Sequence, residues 1–261
     1  HRRREGQYRL RVQGWIGGEG IVSAHSLSHY EPLATLFDYP GWDYPSRVHR
    51  VYDVLAGRYV LAAAEIDAFA RALPTEGGAF TPEALDEVQE IFTRTFDVQS
   101  ITTLGVGYVM FGDDYKRGEL LVNLGREHRE AGIDCGSELP DHLPNVLRLM
   151  ARWVDRELAA EFAEQILHPA LERMIGEFGP RHMEHRNALY EKHFKTLIAS
   201  SGERGTIFRQ PLSAVREVLK QDFGLSDWKP PERDNDFLHY LGRELEIEAN
   251  EGRPAQSGGM P

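Results

Sequence analysis

The chain has 261 residues, 41% of them hydrophobic, and a formal net charge of -11, which suffices for one large domain or two small ones. The acidity argues against general nucleic-acid binding, which needs a basic footprint, and suits a soluble protein or one that attracts a basic ligand such as a cationic peptide. No apolar run approaches the ~20 residues of a membrane span, and the single cysteine, Cys135, excludes an intrachain disulfide and cysteine-rich metal sites, which fits a reducing cytoplasm.

Residues 1–27 are Gly-rich and polar, and no apolar stretch of a secretory signal follows their basic start. They read as an N-terminal extension, followed by one domain over 28–245 and a disordered tail over 246–261. The first helical segment is "HYEPLATLFDYP", where Leu33, Leu36 and Phe37 share a face and Pro40 ends the run. From Ser46 to Leu73 the spacing of Val48, Val51, Tyr52, Leu55 and Tyr59 predicts one helix with Ser46 as its N-cap. After "PTEGGAF", Thr81 is placed to cap a helix with Pro82 at its first position, and Leu85, Val88, Ile91, Phe92 and Phe96 form its inward stripe.

"ITTLGVGYVMFG" is the segment where a strand competes, but with no second strand to pair it a short helix or turn is expected. "DDYKRGELLVNLGREHREAG" resumes helix, with Leu120, Leu121 and Leu124 inward and Gly132 as C-cap. Two long helical stretches follow, "LPNVLRLMARWVDRELAAEFAEQILHPALERMIGEF" and "PRHMEHRNALYEKHFKTLIAS", the first broken near "DRELAAEF" and Pro169. "PLSAVREVLKQDFG" gives a shorter helix. The pattern predicts an all-α, single-domain helical bundle.

The stretch "ELPDHLP", residues 138–144, is a stiff approach to a helix, because Pro140 and Pro144 fix φ and lack an amide hydrogen. Asp141 is expected to be the N-cap, with Pro144 in the first turn where a missing donor costs nothing. Asp141 beside His142 suggests a general-base pair, yet no nucleophile accompanies it. His182, His185 and His193 fall near one helical face and offer imidazoles to a metal, without the HExxH spacing. Cys135 reads as an ordinary loop thiol. GxGxxG, Walker A and GxSxG motifs are absent.

The run "FGDDYKRGELLVNLGREHREAGIDCGSELPDHLPNVLRLMA" resembles the NarJ-type nitrate reductase delta-subunit family, the molybdoenzyme maturation chaperones related to the TorD/DmsD type. Phe111, Gly112, Arg117, Gly118 and Glu138 through Pro144 carry the resemblance in order, although Phe111 stands where some relatives have histidine. "LATLFDYP" and "FTRTFD" look like two further stretches of that family.

The resemblance implies a cytoplasmic, cofactor-free, non-enzymatic chaperone, a monomer or weak homodimer. Such a chaperone binds the N-terminal leader of a molybdoenzyme catalytic subunit until its cofactors are in place. In that picture the proline corner is an elbow that leaves a groove for a peptide's apolar face. The expected peptide-binding residues are Tyr108, Phe111, Tyr115, Arg117, Glu138, Leu139, Pro140, Asp141, His142, Leu143 and Pro144. The competing expectations are a helical metal-dependent enzyme using His182, His185 and His193, and a non-catalytic subunit retained in a mature complex.

Overall fold

In the computed structural model the described residues are 26–184, 186 and 205–227. They form an all-α bundle. Helix α1 (Tyr30–Ala34) runs into a 3-10 turn (Thr35–Phe37), then come α2 (Tyr44–Ala56), α3 (Val60–Ala72), α4 (Pro82–Phe96), α5 (Val106–Phe111) and α6 (Tyr115–Glu130). Next are α7 (Leu143–Arg152), α8 (Arg156–Phe162), a π segment (Ala163–Leu167), α9 (His168–Gly176) and α10 (Arg209–Phe223). Among the described residues no helix is long and apolar enough to cross a membrane.

Several local signals act as the sequence suggests. Thr81 caps α4 by accepting a hydrogen bond from the Ala84 amide at 3.2 Å. Gly132 follows α6 with φ +65°, the left-handed conformation that lets the chain turn away after the last turn. The contested segment "ITTLGVGYVMFG" becomes α5 and its approach loop.

Other expectations need correction. The helix anticipated from Ser46 to Leu73 starts at Tyr44 and is two helices, with the break at Gly57 and Arg58. The hydrophobic spacing did not show this because Val51, Leu55 and Tyr59 are buried on both sides of the turn. Leu27, assigned to the extension, is buried in the core. Pro169 does not end its helix. Its missing amide hydrogen leaves the α-helical pairing to residue 165 unmade, and the preceding turn widens so that the His168 amide donates to Ala163 five residues back.

The core is one apolar cluster. Its aromatic centre is Phe208, in the turn before α10, with ring centroids 5.4 Å from Phe69, 5.3 Å from Phe92 and 5.5 Å from Phe96. Around it α10 packs on α3 and α9, α2 packs on α3, and α1 packs on α7. The α1–α7 contact sets the entry to "ELPDHLP" beside the residues that follow α1.

Candidate functional site: the elbow and the surface around it

The proline corner is held from three directions. Its backbone pairs with the approach to α5: the Val106 amide donates to the Asp141 carbonyl at 2.9 Å, and the Leu143 amide donates to the Leu104 carbonyl at 2.8 Å. The Asn145 side chain reaches back to the Leu139 carbonyl at 3.2 Å and the Cys135 carbonyl at 3.4 Å, which secures the loop before the corner. From α6, Arg117 Nε donates to Asp141 Oδ2 at 3.2 Å, and its guanidinium lies 5.1 Å from the centre of the Tyr108 ring.

This arrangement overturns the expected cap. The N-cap of α7 is His142, and no side chain caps the helix. The Leu143 amide is already satisfied by Leu104, and Pro144 has no amide hydrogen to satisfy. Asp141 is therefore released from capping, and its side chain points into the bundle, fully buried. Oδ1 has no hydrogen-bond partner. Close approach there requires a glycine: a Cβ on Gly107 would stand 2.7 Å from Asp141 Oδ2 and 3.0 Å from a Leu120 methyl carbon.

The expected peptide-binding residues divide by exposure. Asp141, Leu143 and Pro144 are buried, so in this structure they shape the corner and are not available as contact residues. Tyr108, Phe111, Arg117 and Pro140 are half-buried; Phe111 packs against the core, and Pro140 lies beside Gly125 of α6. Tyr115, Glu138 and Leu139 are exposed, and His142 is partly so. Of the metal-binding alternative, His185 and His193 lie outside the described residues. His182 Nδ1 is 3.4 Å from Glu177, a carboxyl that burial pushes up and His182 pulls back down. Burial, then Asp134, raise the pKa of Cys135, which disfavours the reactive thiolate.

The His142 ring feels charges from the corner itself and from elsewhere in the chain. Burial lowers the pKa of its ring, and four carboxylates, Glu138, Asp141, Asp38 and Asp97, act in the opposite direction. Three of these are each followed by an exposed apolar residue: Asp38 by Tyr39 (55% exposed), Asp97 by Val98 (60%) and Glu138 by Leu139 (50%). Trp42, 62% exposed, continues the first pair. The Tyr39 ring rests edge-on against Phe92 of α4 at 5.6 Å, and Gln89 of α4 donates to the Pro40 carbonyl at 2.8 Å. Arg148 of α7 donates twice to Asp38, at 2.8 and 2.6 Å. The segment that follows α1 is thus tied both to α4 and to α7.

No protein-family model and no curated protein matches the chain.

Proposed function

We propose that this chain is a maturation chaperone that binds the N-terminal segment of a molybdoenzyme catalytic subunit of the dimethyl sulfoxide reductase superfamily, nitrate-reductase-like. It holds that segment while cofactor and iron–sulfur centres are inserted. The reading rests on one observation. The stretches that carry the family resemblance pack together: Phe37 and Tyr39 of "LATLFDYP" lie against Phe96 and Phe92 of "FTRTFD", and α7, which opens within "ELPDHLP", packs on α1.

Physically, the elbow supplies rigidity and the surface supplies recognition. Exposed aromatic and aliphatic side chains give apolar contact area, and carboxylates at the rim favour a basic partner. The protein works by binding and release, in the cytoplasm, with no cofactor of its own.

The test is co-expression with a nitrate-reductase-like molybdoenzyme catalytic subunit, followed by metal and cofactor analysis of the purified complex. The reading expects the chain to carry no stoichiometric metal and to capture the catalytic subunit before its molybdenum cofactor is inserted. Capture of only the mature, cofactor-loaded subunit marks a retained subunit instead. A stoichiometric metal lost on joint replacement of His182, His185 and His193 by alanine marks a metal-dependent enzyme.

A further inference from the structure

We propose that His128 is a proton-operated latch that ties the end of α6 to α7 and sets how firmly the loop between them, residues 131–142, is held. The latch acts whatever the protein binds.

His128 lies in the last turn of α6, and its side chain is buried. Nδ1 is 2.7 Å from the Leu124 carbonyl oxygen, one turn back in the same helix, and Nε2 is 3.2 Å from the Asn145 carbonyl oxygen of α7. A carbonyl oxygen only accepts, so each contact is a hydrogen bond only when that ring nitrogen carries a hydrogen. Neutral imidazole carries one such hydrogen and the imidazolium carries two. Both bonds are therefore made by the protonated ring alone. In the neutral ring the shorter contact keeps the N–H, and the Nε2 lone pair is left facing the lone pairs of the Asn145 carbonyl. The bond within α6 survives, and the bond between the helices is lost.

The same two residues anchor the loop at its two ends. The His128 carbonyl accepts from the Ile133 amide at 2.9 Å, and the Asn145 side chain donates to the Cys135 and Leu139 carbonyls. A protonated ring joins these anchors into one unit, and a neutral ring separates them. Arg117 bound to Asp141 and Glu127 bound to Trp153 also tie α6 to this region, but neither link needs a histidine proton.

The charge on the ring is answered by carbonyl dipoles, because His128 forms no ion pair with a described residue. On α6, Glu127 is engaged by Trp153 and Arg126, while Arg129 and Glu130 are exposed. In the loop, Asp134 and Glu138 are exposed, Asp141 is met by Arg117, and Cys135 and His142 are the half-buried titratable groups. On α7, Arg148 pairs with Asp38 and Arg152 with Glu31 of α1. The C-terminal end of α6 favours a cation, and the first turn of α7 opposes one. Burial also opposes the proton, and the two acceptors favour it. Rising pH removes it and opens the latch.

The ring is read directly by nitrogen-15 NMR of the full-length chain labelled at histidine, between about pH 5 and 8, the range where histidine changes charge. The expected result is that both His128 nitrogens carry hydrogen at the lower end and that Nε2 alone loses it as pH rises. Amide exchange in residues 133–142, corrected for its intrinsic pH dependence, should quicken roughly tenfold through the same titration, the scale of one hydrogen bond to a charged group. His128→Gln puts an amide nitrogen where Nε2 stands and keeps the bond to Asn145 at every pH. His128→Asn puts one where Nδ1 stands and lacks that bond at every pH. Loop protection should therefore be independent of pH in both variants, high in the first and low in the second. His142→Gln, which removes the other histidine of the region, should leave the pH dependence in place.

A His128 ring that never carries two hydrogens in this range overturns the latch, and that measurement needs no variant to fold. Loop exchange that does not follow the His128 titration, or a pH dependence that vanishes in His142→Gln, overturns its hold on the loop.

Discussion

Two buried carboxylates, Asp141 and Asp222, sit in opposite circumstances. Asp222 near the end of α10 is surrounded by donors: His29 Nε2 donates to Oδ2 at 2.6 Å, the Tyr59 hydroxyl donates to Oδ1 at 2.6 Å, and Arg58 reaches Oδ1 at 3.3 Å. The Tyr30 hydroxyl is buried beside it. Burial alone would raise the Asp222 pKa, but the hydrogen bonds from His29 and Tyr59 outweigh it and hold the carboxyl below its usual range. Asp141 has one cation at 3.2 Å and an oxygen with no partner. The difference teaches that burial of an acid does not mark a site. Asp222 clasps the segment before α1, the α2–α3 turn and α10 together and is sufficiently explained by that. Asp141 is incompletely satisfied at a corner whose approach, Glu138 and Leu139, is exposed, which is where recognition is expected.

The sharpest way to break this comparison is to remove each acid. Asp222→Ala leaves several buried groups without their acceptor and is expected to cost about 3–5 kcal/mol, the range for breaking a buried pair. Asp141→Ala is expected to cost less, about 1–3 kcal/mol, because Arg117 keeps some access to water. Chemical denaturation of the two variants decides it, and equal losses would erase the distinction.

Acid provides a second test of the clasp. The folded-state pKa of Asp222 lies below the unfolded value of about 3.9. Its stabilisation is therefore present at neutral pH and lost as pH falls through the folded-state value. The melting-temperature gap between the native chain and Asp222→Asn should narrow on acidification; a gap that widens contradicts the assignment.

Gly107→Ala sharpens the elbow side. Its new methyl would meet Asp141 Oδ2 at 2.7 Å, so a loss of about 1–3 kcal/mol is expected, the usual range for overpacking. Equilibrium denaturation of that variant, with no loss, would show that the corner gives way. The smallest stability effect belongs to the surface: Trp42→Ser should stay within about 0.5 kcal/mol of the native chain while weakening peptide binding. Normal affinity measured by calorimetry would remove Trp42 from the contact area.

Much of the helix pattern was legible because its signals are local. Thr81 with Pro82 and the stripe of α4 need no tertiary information, and neither does Gly132 after α6. The break at Gly57 was hidden because Leu55 and Tyr59 are both buried, so the apolar rhythm continues through the turn. The capping role expected of Asp141 failed for a non-local reason: Leu104, 39 residues before Leu143, supplies the acceptor for the first helical amide. The aromatic centre Phe208 lies in a turn with no periodicity to announce it. Within the candidate site, Glu138, Leu139 and His142 stood out because the prolines frame them. Tyr39 has no such frame in the sequence, and its place is set by packing on Phe92 of α4.

The most direct test of the central claim is amide hydrogen exchange of the chain with and without the N-terminal segment of the molybdoenzyme catalytic subunit proposed as its partner. The account predicts new protection in residues 38–42, 97–98 and 138–142, with the amides around Asp222 unchanged. Protection confined to the exposed face of α6 around Tyr115 and Val122, or protection at the Asp222 clasp alone, would contradict it.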